Sequence, residues 1–292
     1  MQNDKIVVVL LTLRELGSRR EDGRPSSASN TNMCFRTFAF GGAFFTALMA
    51  MSAAASAAPV KVRYQEGSIH GYLALRSLDG KLLASGDMTQ TVRGGRLTSR
   101  LVYHFRDGSI DDETAVFTQA GCFRLLRDHL VQKGPSFPES TDVTIEAKTG
   151  EVTVRQMQDG KVKVNSSHVD LPEDLANGII LVLIKNLPPQ DVESKLSYLA
   201  VTPKPRIVHL SIKKDGIDSF SSAELRNTAQ RFRIHVELGG LAGIIAPMIG
   251  KEPADSLAWI SGKEVPAFIK SESPLYVGGP LLRTELVGPI WK

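Results

Sequence analysis

Beyond residue 58 the chain carries one cysteine, Cys122; the other, Cys34, lies in the apolar N-terminal region. No internal disulfide can form, so packing must hold the fold. The common catalytic and metal signatures are missing too: C-x-x-C, H-E-x-x-H and G-x-S-x-G do not occur. The six histidines, at 70, 104, 129, 168, 209 and 235, show neither i, i+4 helical spacing nor His-x-His strand spacing. No metal site and no cofactor is expected from them. Aromatic residues make up 7% of the chain and no basic stripe interleaves them, which argues against a nucleic-acid surface. Residues 1–58 hold 6 of the 35 basic and 4 of the 31 acidic residues, so the remainder is nearly neutral, at +2. That balance reads as a solvated surface of mixed sign.

The run TFAFGGAFFTALMAMS, residues 37–52, follows Arg36 and precedes AAASAAP. Positive charge, apolar stretch and small-residue exit are the three parts of a secretory signal peptide. The run is shorter than the roughly 20 residues of a membrane span. Residues 33–58 are therefore expected to be a signal cleaved near Ala57 or Ala58, with the mature protein exported, to the periplasm. Residues 1–32 read as a disordered leader or an overextended start, Met33 being the alternative first residue. Residues 59–292 are expected to form one β-rich domain, with any membrane contact peripheral.

Within that domain Asp79-Gly80, Gly94-Gly95, Asp107-Gly108, Thr149-Gly150 and Asp159-Gly160 separate segments of period two. Leu97, Ser99, Leu101, Tyr103 and Phe105 share one face; Thr98, Arg100, His104 and Arg106 share the other. Val143 and Ile145, and then Val152 and Val154, alternate with polar neighbours in the same way. The pattern predicts an antiparallel meander from about residue 60 to 168, with residues 121–132 as one of its strands. The period changes at LPEDLANGIILVLIKNLPP, where apolar spacing predicts a helix over 172–187, apolar nearly all round and stopped by Pro188-Pro189. Strands return around 207–212, before a turn at Asp215-Gly216, and around 232–238, near 256–270 and near 281–287. The expected fold is mainly β (α+β): a strongly curved antiparallel sheet or open half-barrel around one central apolar helix, with lobes 59–170 and 190–292.

Few residues suggest chemistry. Asp107, Asp111, Asp112 and Glu113 follow a turn and read as a solvated acidic cluster without the ligand order of an EF-hand. Cys122 and His129 lie too far apart to form a catalytic pair on either a strand or a helix. A hydrolase assembled from His104, His235 and the Asp111–Glu113 carboxylates is the enzymatic alternative.

The segment GGLAGIIAPMIGKEP, residues 239–253, is the apolar feature left over. Its Gly250-Lys251-Glu252 fails the phosphate-loop pattern, which needs Ser or Thr after the lysine and Gly at position 245, where Ile stands. Two readings remain: a loop packed under the sheet, or an apolar rim at a pocket mouth where Leu241, Ile244, Ile245, Met248 and Ile249 touch ligand.

The stretches LVYHFRDGSIDDETAVFTQAG, VQKGPSFP, VDLPEDLANG, VTPKPRIVHL and GGLAGIIAPMIGKEP resemble a family of uncharacterised exported bacterial β-rich proteins. That resemblance spans most of the mature chain and brings no known activity with it. The predicted architecture is also similar to lipoprotein-carrier half-barrels, which implies a hydrophobic ligand. The leading expectation is thus an exported, non-enzymatic protein that binds or carries a lipid-like molecule. An envelope-assembly module that binds another envelope protein, with a filled core, is the alternative.

Overall fold

The computed structural model describes residues 58–287, apart from 159–160, 202–203, 223–224, 238–252 and 263. Fourteen strands run in chain order: β1 (Ile69–Ser77), β2 (Leu82–Arg93), β3 (Arg96–Phe105), β4 (Ile110–Ala120), β5 (Cys122–Lys133), β6 (Thr141–Glu146), β7 (Glu151–Gln158) and β8 (Lys161–His168), then β9 (Glu193–Ala200), β10 (Arg206–Ser222), β11 (Leu225–Glu237), β12 (Ser256–Ser261), β13 (Ala267–Ser273) and β14 (Leu282–Val287). One helix, α1 (Ile180–Asn186), lies between β8 and β9. All strands belong to one antiparallel sheet, ordered β8-β7-β6-β5-β4-β3-β2-β1-β14-β13-β12-β11-β10-β9. The chain winds outward from both sides of the β1–β14 pair, so β8 and β9, consecutive in sequence, become the two edges.

The sheet must curve, because residues far apart in strand order share one core. Phe117 and Phe123 of β4 and β5, Val152 of β7, Leu183 of α1, Leu199 of β9 and Ile212 of β10 all belong to a single buried cluster. The period-two alternation explains how: Leu97, Phe117, Phe123, Ile145 and Val152 point inward from successive strands, and each is nearly or fully buried. The helix completes this core with Val182, Leu183 and Ile184.

The segment from residue 169 to the helix is not helical over 172–179, contrary to the sequence pattern. Asp174 does not cap a helix: its Oδ2 accepts the Ser197 N–H at 2.9 Å. Asn177 accepts the Leu199 N–H at 2.8 Å and donates to Leu199 O at 3.1 Å. Ala176 N–H donates to Ser197 O. This connector thereby seals the outer edge of β9, and Gly178, at φ +64°, turns the chain into α1.

A second strap, residues 60–68, closes the far end of the helix. Val62 N–H donates to Gly121 O, and Phe123 N–H donates to Val60 O. Asn186 Oδ1 accepts the Arg63 and Tyr64 N–H groups at 2.9 and 2.8 Å, while its Nδ2 donates to Val182 O. Lys185 pairs with Glu66 at 2.5 Å, and both side chains are largely buried. Replacing Asn186 by Ala leaves two strap amides without an acceptor and is expected to cost about 2–4 kcal/mol in urea denaturation, with faster amide exchange at residues 63 and 64.

Two further expectations change. Asp215-Gly216 is not a hairpin turn: β10 continues through it, with a register irregularity between Lys214 and Ile217. Gly216 takes φ +112°, and side chains of β11 hold the carbonyls that the bulge frees. Arg231 donates to Asp215 O, and Gln230 donates to Gly216 O. The expected strand over 256–270 is the hairpin β12–β13, turned at Gly262 (φ +86°).

Candidate functional site

The registers bring one end of the sheet together. The end of β3, the β5–β6 connection, the start of β2 and the β13–β14 loop meet around a half-open cleft of about 170 Å³. Leu83, Phe105, Phe137, Leu275, Tyr276 and Leu282 supply its apolar lining, and Ser136 and Pro280 complete it. Its aromatic wall is built edge to face: Phe105 and Phe137 centroids are 5.6 Å apart at 78°, and Phe137 and Tyr276 are 6.0 Å apart at 68°. The loop carrying Ser136 is fixed by Asp107, which accepts from Ser136 Oγ at 2.7 Å, and by Ser109 Oγ, which accepts the Ser136 N–H.

From the cleft a polar seam runs along the inner face toward the helix. Tyr103, Asp111 and Gln132 are neighbours across β3, β4 and β5. Gln132 Nε2 donates to Asp111 Oδ2 at 2.7 Å and to Leu275 O at 2.8 Å, so the seam holds the cleft loop directly. Tyr103 Oη pairs with Thr284 Oγ1 at 2.8 Å. Deeper in, Glu113 and Asp128 share the same face one and two inward positions further on. Asp128 is 4% exposed, and its Oδ1 has no hydrogen-bond partner among the described residues.

Burial dominates the chemistry of these acids. It raises Asp111 to about 6, against the Gln132 hydrogen bond that favours its charge. It raises Asp128 to about 7, opposed by a hydrogen bond from the His129 backbone. Glu113, partly buried beside both, is raised well above the ordinary glutamate value by the same loss of water and by the Asp128 and Asp111 charges. Burial likewise pushes the Tyr198 phenol on β9 upward, reinforced by Glu113 and Asp128. The seam therefore keeps its protons to higher pH than exposed carboxylates do. Among the described residues no three His, Cys, Asp or Glu side chains converge to hold a metal ion.

The solvated-cluster reading of Asp107–Glu113 holds for the exposed Asp107 and fails for Asp111, which is 5% exposed. Strand β4 begins at Ile110, so Asp111 and Glu113 fall on the inward parity of Ala115 and Phe117. Asp112 falls outward and pairs with Arg100 at 2.6 Å. The hydrolase constellation is not assembled. His104 is exposed on the face opposite Asp111, and His235 pairs with Asp255 at 2.8 Å. Cys122 begins β5 and His129 lies seven residues along it, where it pairs with Asp142. Leu241, Ile244, Ile245, Met248 and Ile249 lie outside the described residues. Glu237, which ends β11, and Ser256, which begins β12, stand at the same end of the sheet as the cleft. Sequence reasoning did not find the cleft. Its lining comes from four separate segments, and no single one of them carries a recognisable signal.

No family model matches the chain, and no curated protein matches it. Among solved structures it is similar to the crystal structure of a beta-barrel-like protein of domain of unknown function DUF1849 from Brucella abortus. The identity is 10%, the TM-score is 0.41, and the match covers 78% of this chain and 100% of that chain. That degree of likeness assigns neither ligand nor activity. Among the described residues no helix is long and apolar enough to cross a membrane.

Proposed function

We propose that the protein is an exported, non-enzymatic binding protein whose ligand inserts one apolar group into the cleft of Phe105, Phe137, Tyr276 and Leu282. The half-open apolar cleft itself carries this reading: binding sites are concave, mostly apolar and equipped with a few polar groups at their margin. Ser136 supplies such a group, and Gln132 and Asp111 stand behind the wall. Export rests on the uncharged run of residues 37–52 and its small-residue exit.

The cleft volume narrows the ligand class. A protein cavity of about 150 Å³ lined by Leu, Ile and Phe accepts benzene. At about 170 Å³ this cleft suits a single ring or a short alkyl chain. The lipid-like ligand expected from the fold pattern thus contracts to a molecule with one small apolar end. Toluene and hexanoate are expected to bind the full chain in a calorimetric or NMR titration, with palmitate no tighter than hexanoate. Leu83→Trp, which fills the cleft from β2, is expected to abolish both. Absence of binding by either probe, or binding that survives Leu83→Trp, would overturn the proposal.

A further inference from the structure

The two edges of the sheet are finished differently. On β9 the connector takes up the outward Ser197 and Leu199 backbone groups through Asp174, Ala176 and Asn177. On β8 nothing comparable occurs among the described residues, and all eight of its residues are exposed. The Val169 N–H bond to Gly150 O fixes the phase of the β7–β8 ladder. Odd-numbered residues of β8 bond to β7, so Val162, Val164, Ser166 and His168 turn their N–H and C=O groups toward the open edge.

The side chains around this edge are equally distinctive. Residues directly opposite in register share a face, so Asn165 joins the inward Val154, and Lys161 and Lys163 follow on that side. Val162 and Val164 stand with Met157 on the outer face, at 63%, 53% and 47% exposure. Three large apolar side chains at an unpaired strand edge form the kind of template that proteins ordinarily blunt. Strand β8 holds no proline, and no segment among the described residues covers it. The blunting devices present are Lys161 and Lys163, and these also select: they repel a second β8 and attract a strand of opposite charge.

We propose that β8 is a docking edge which adds an extended segment of a partner protein as a fifteenth strand. The partner segment alternates acidic residues, set against Lys161 and Lys163, with apolar residues set against Val162 and Val164. Main-chain hydrogen bonds to residues 162, 164, 166 and 168 supply the affinity, and the alternating side chains supply the choice. This surface is independent of the cleft, since it lies at the sheet edge and shares no residue with the lining.

The test uses the full chain and two acetylated eight-residue peptides, one alternating Glu and Val and one alternating Lys and Val. The acidic peptide is expected to bind by fluorescence anisotropy and to slow amide exchange at residues 162, 164, 166 and 168. Val164→Pro removes an edge donor but no ladder bond to β7, and it is expected to weaken binding at least tenfold. The double substitution Lys161→Glu with Lys163→Glu keeps the edge and is expected to exchange the preference, taking the basic peptide instead. Failure of the acidic peptide to bind, protection mapped to another strand, or affinity unchanged in both variants would overturn the assignment. So would a dimer of the unmodified chain that Val164→Pro dissolves, since that would make a second copy the occupant.

Discussion

The protein is expected to be more stable at pH 5 than at pH 8, and Asp128→Asn to remove a large part of the difference. In the folded chain Asp128 is raised from the ordinary 3.8 to about 7, because burial disfavours its charge. The folded state therefore binds more protons than the unfolded chain between those values, and stability falls as pH rises through that window. Below about pH 4 the contribution is fully present; above about pH 7 it is gone. The rise corresponds to about 4 kcal/mol, at roughly 1.36 kcal/mol per pH unit. Asp111, raised to about 6, acts in the same direction, and Glu113 extends the loss because it titrates together with Asp128. Asparagine has nearly the shape of the neutral acid and does not ionise. Urea denaturation of both proteins should thus show the variant ahead by about 1.5 kcal/mol at pH 5 and by about 4 kcal/mol at pH 8. A wild-type protein whose stability is flat or rising over this range would contradict the placement of these acids inside the fold.

The second large effect is expected at Gly178. An alanine there must hold φ near +64°, which costs about 1–2 kcal/mol for an L residue. Its methyl would also come 2.7 Å from both Ala115 Cβ and Asp128 Oδ1, a crowding that adds about 1–3 kcal/mol. Gly80→Ala is the control, since Gly80 has φ +94° with open space around it. Gly178→Ala is expected to lose about 2–5 kcal/mol and Gly80→Ala only the backbone part. Equal losses at the two positions would mean that the connector does not press against β4 and β5 as described.

Much of this fold was legible because period two is a direct consequence of pleating. Leu97, Tyr103, Val143, Ile145, Phe232 and Ile234 all face inward as their spacing requires. The errors arose where one local pattern serves two structures. Asp215-Gly216 satisfies a tight turn and a bulge alike, since both need positive φ, and only pairing with β11 decides between them. Pro172-Glu173-Asp174 looks like a helix start, yet Asp174 finds its donor on β9, 23 residues away in sequence. Asp111 and Glu113 carry the inward parity of Phe117, but their charge argued for water more strongly than their spacing argued for the core. Pattern cannot reveal that the fold takes them out of water and makes them hold their protons more tightly. The cleft was illegible for a simpler reason: Leu83 and Leu282 lie almost 200 positions apart, and only the sheet order makes them neighbours.

The most direct test of the account is where a small apolar molecule binds. In an NMR titration of the full chain with toluene, the largest shifts are expected on the Phe105, Phe137 and Tyr276 rings and the Leu282 methyls. The methyls of Val182, Leu183 and Ile184 on α1 should stay unchanged, because these side chains are buried in the main cluster and line no part of the cleft. Saturable shifts confined to the cleft would establish it as the binding site. Shifts centred on the helix, or none at all, would contradict it.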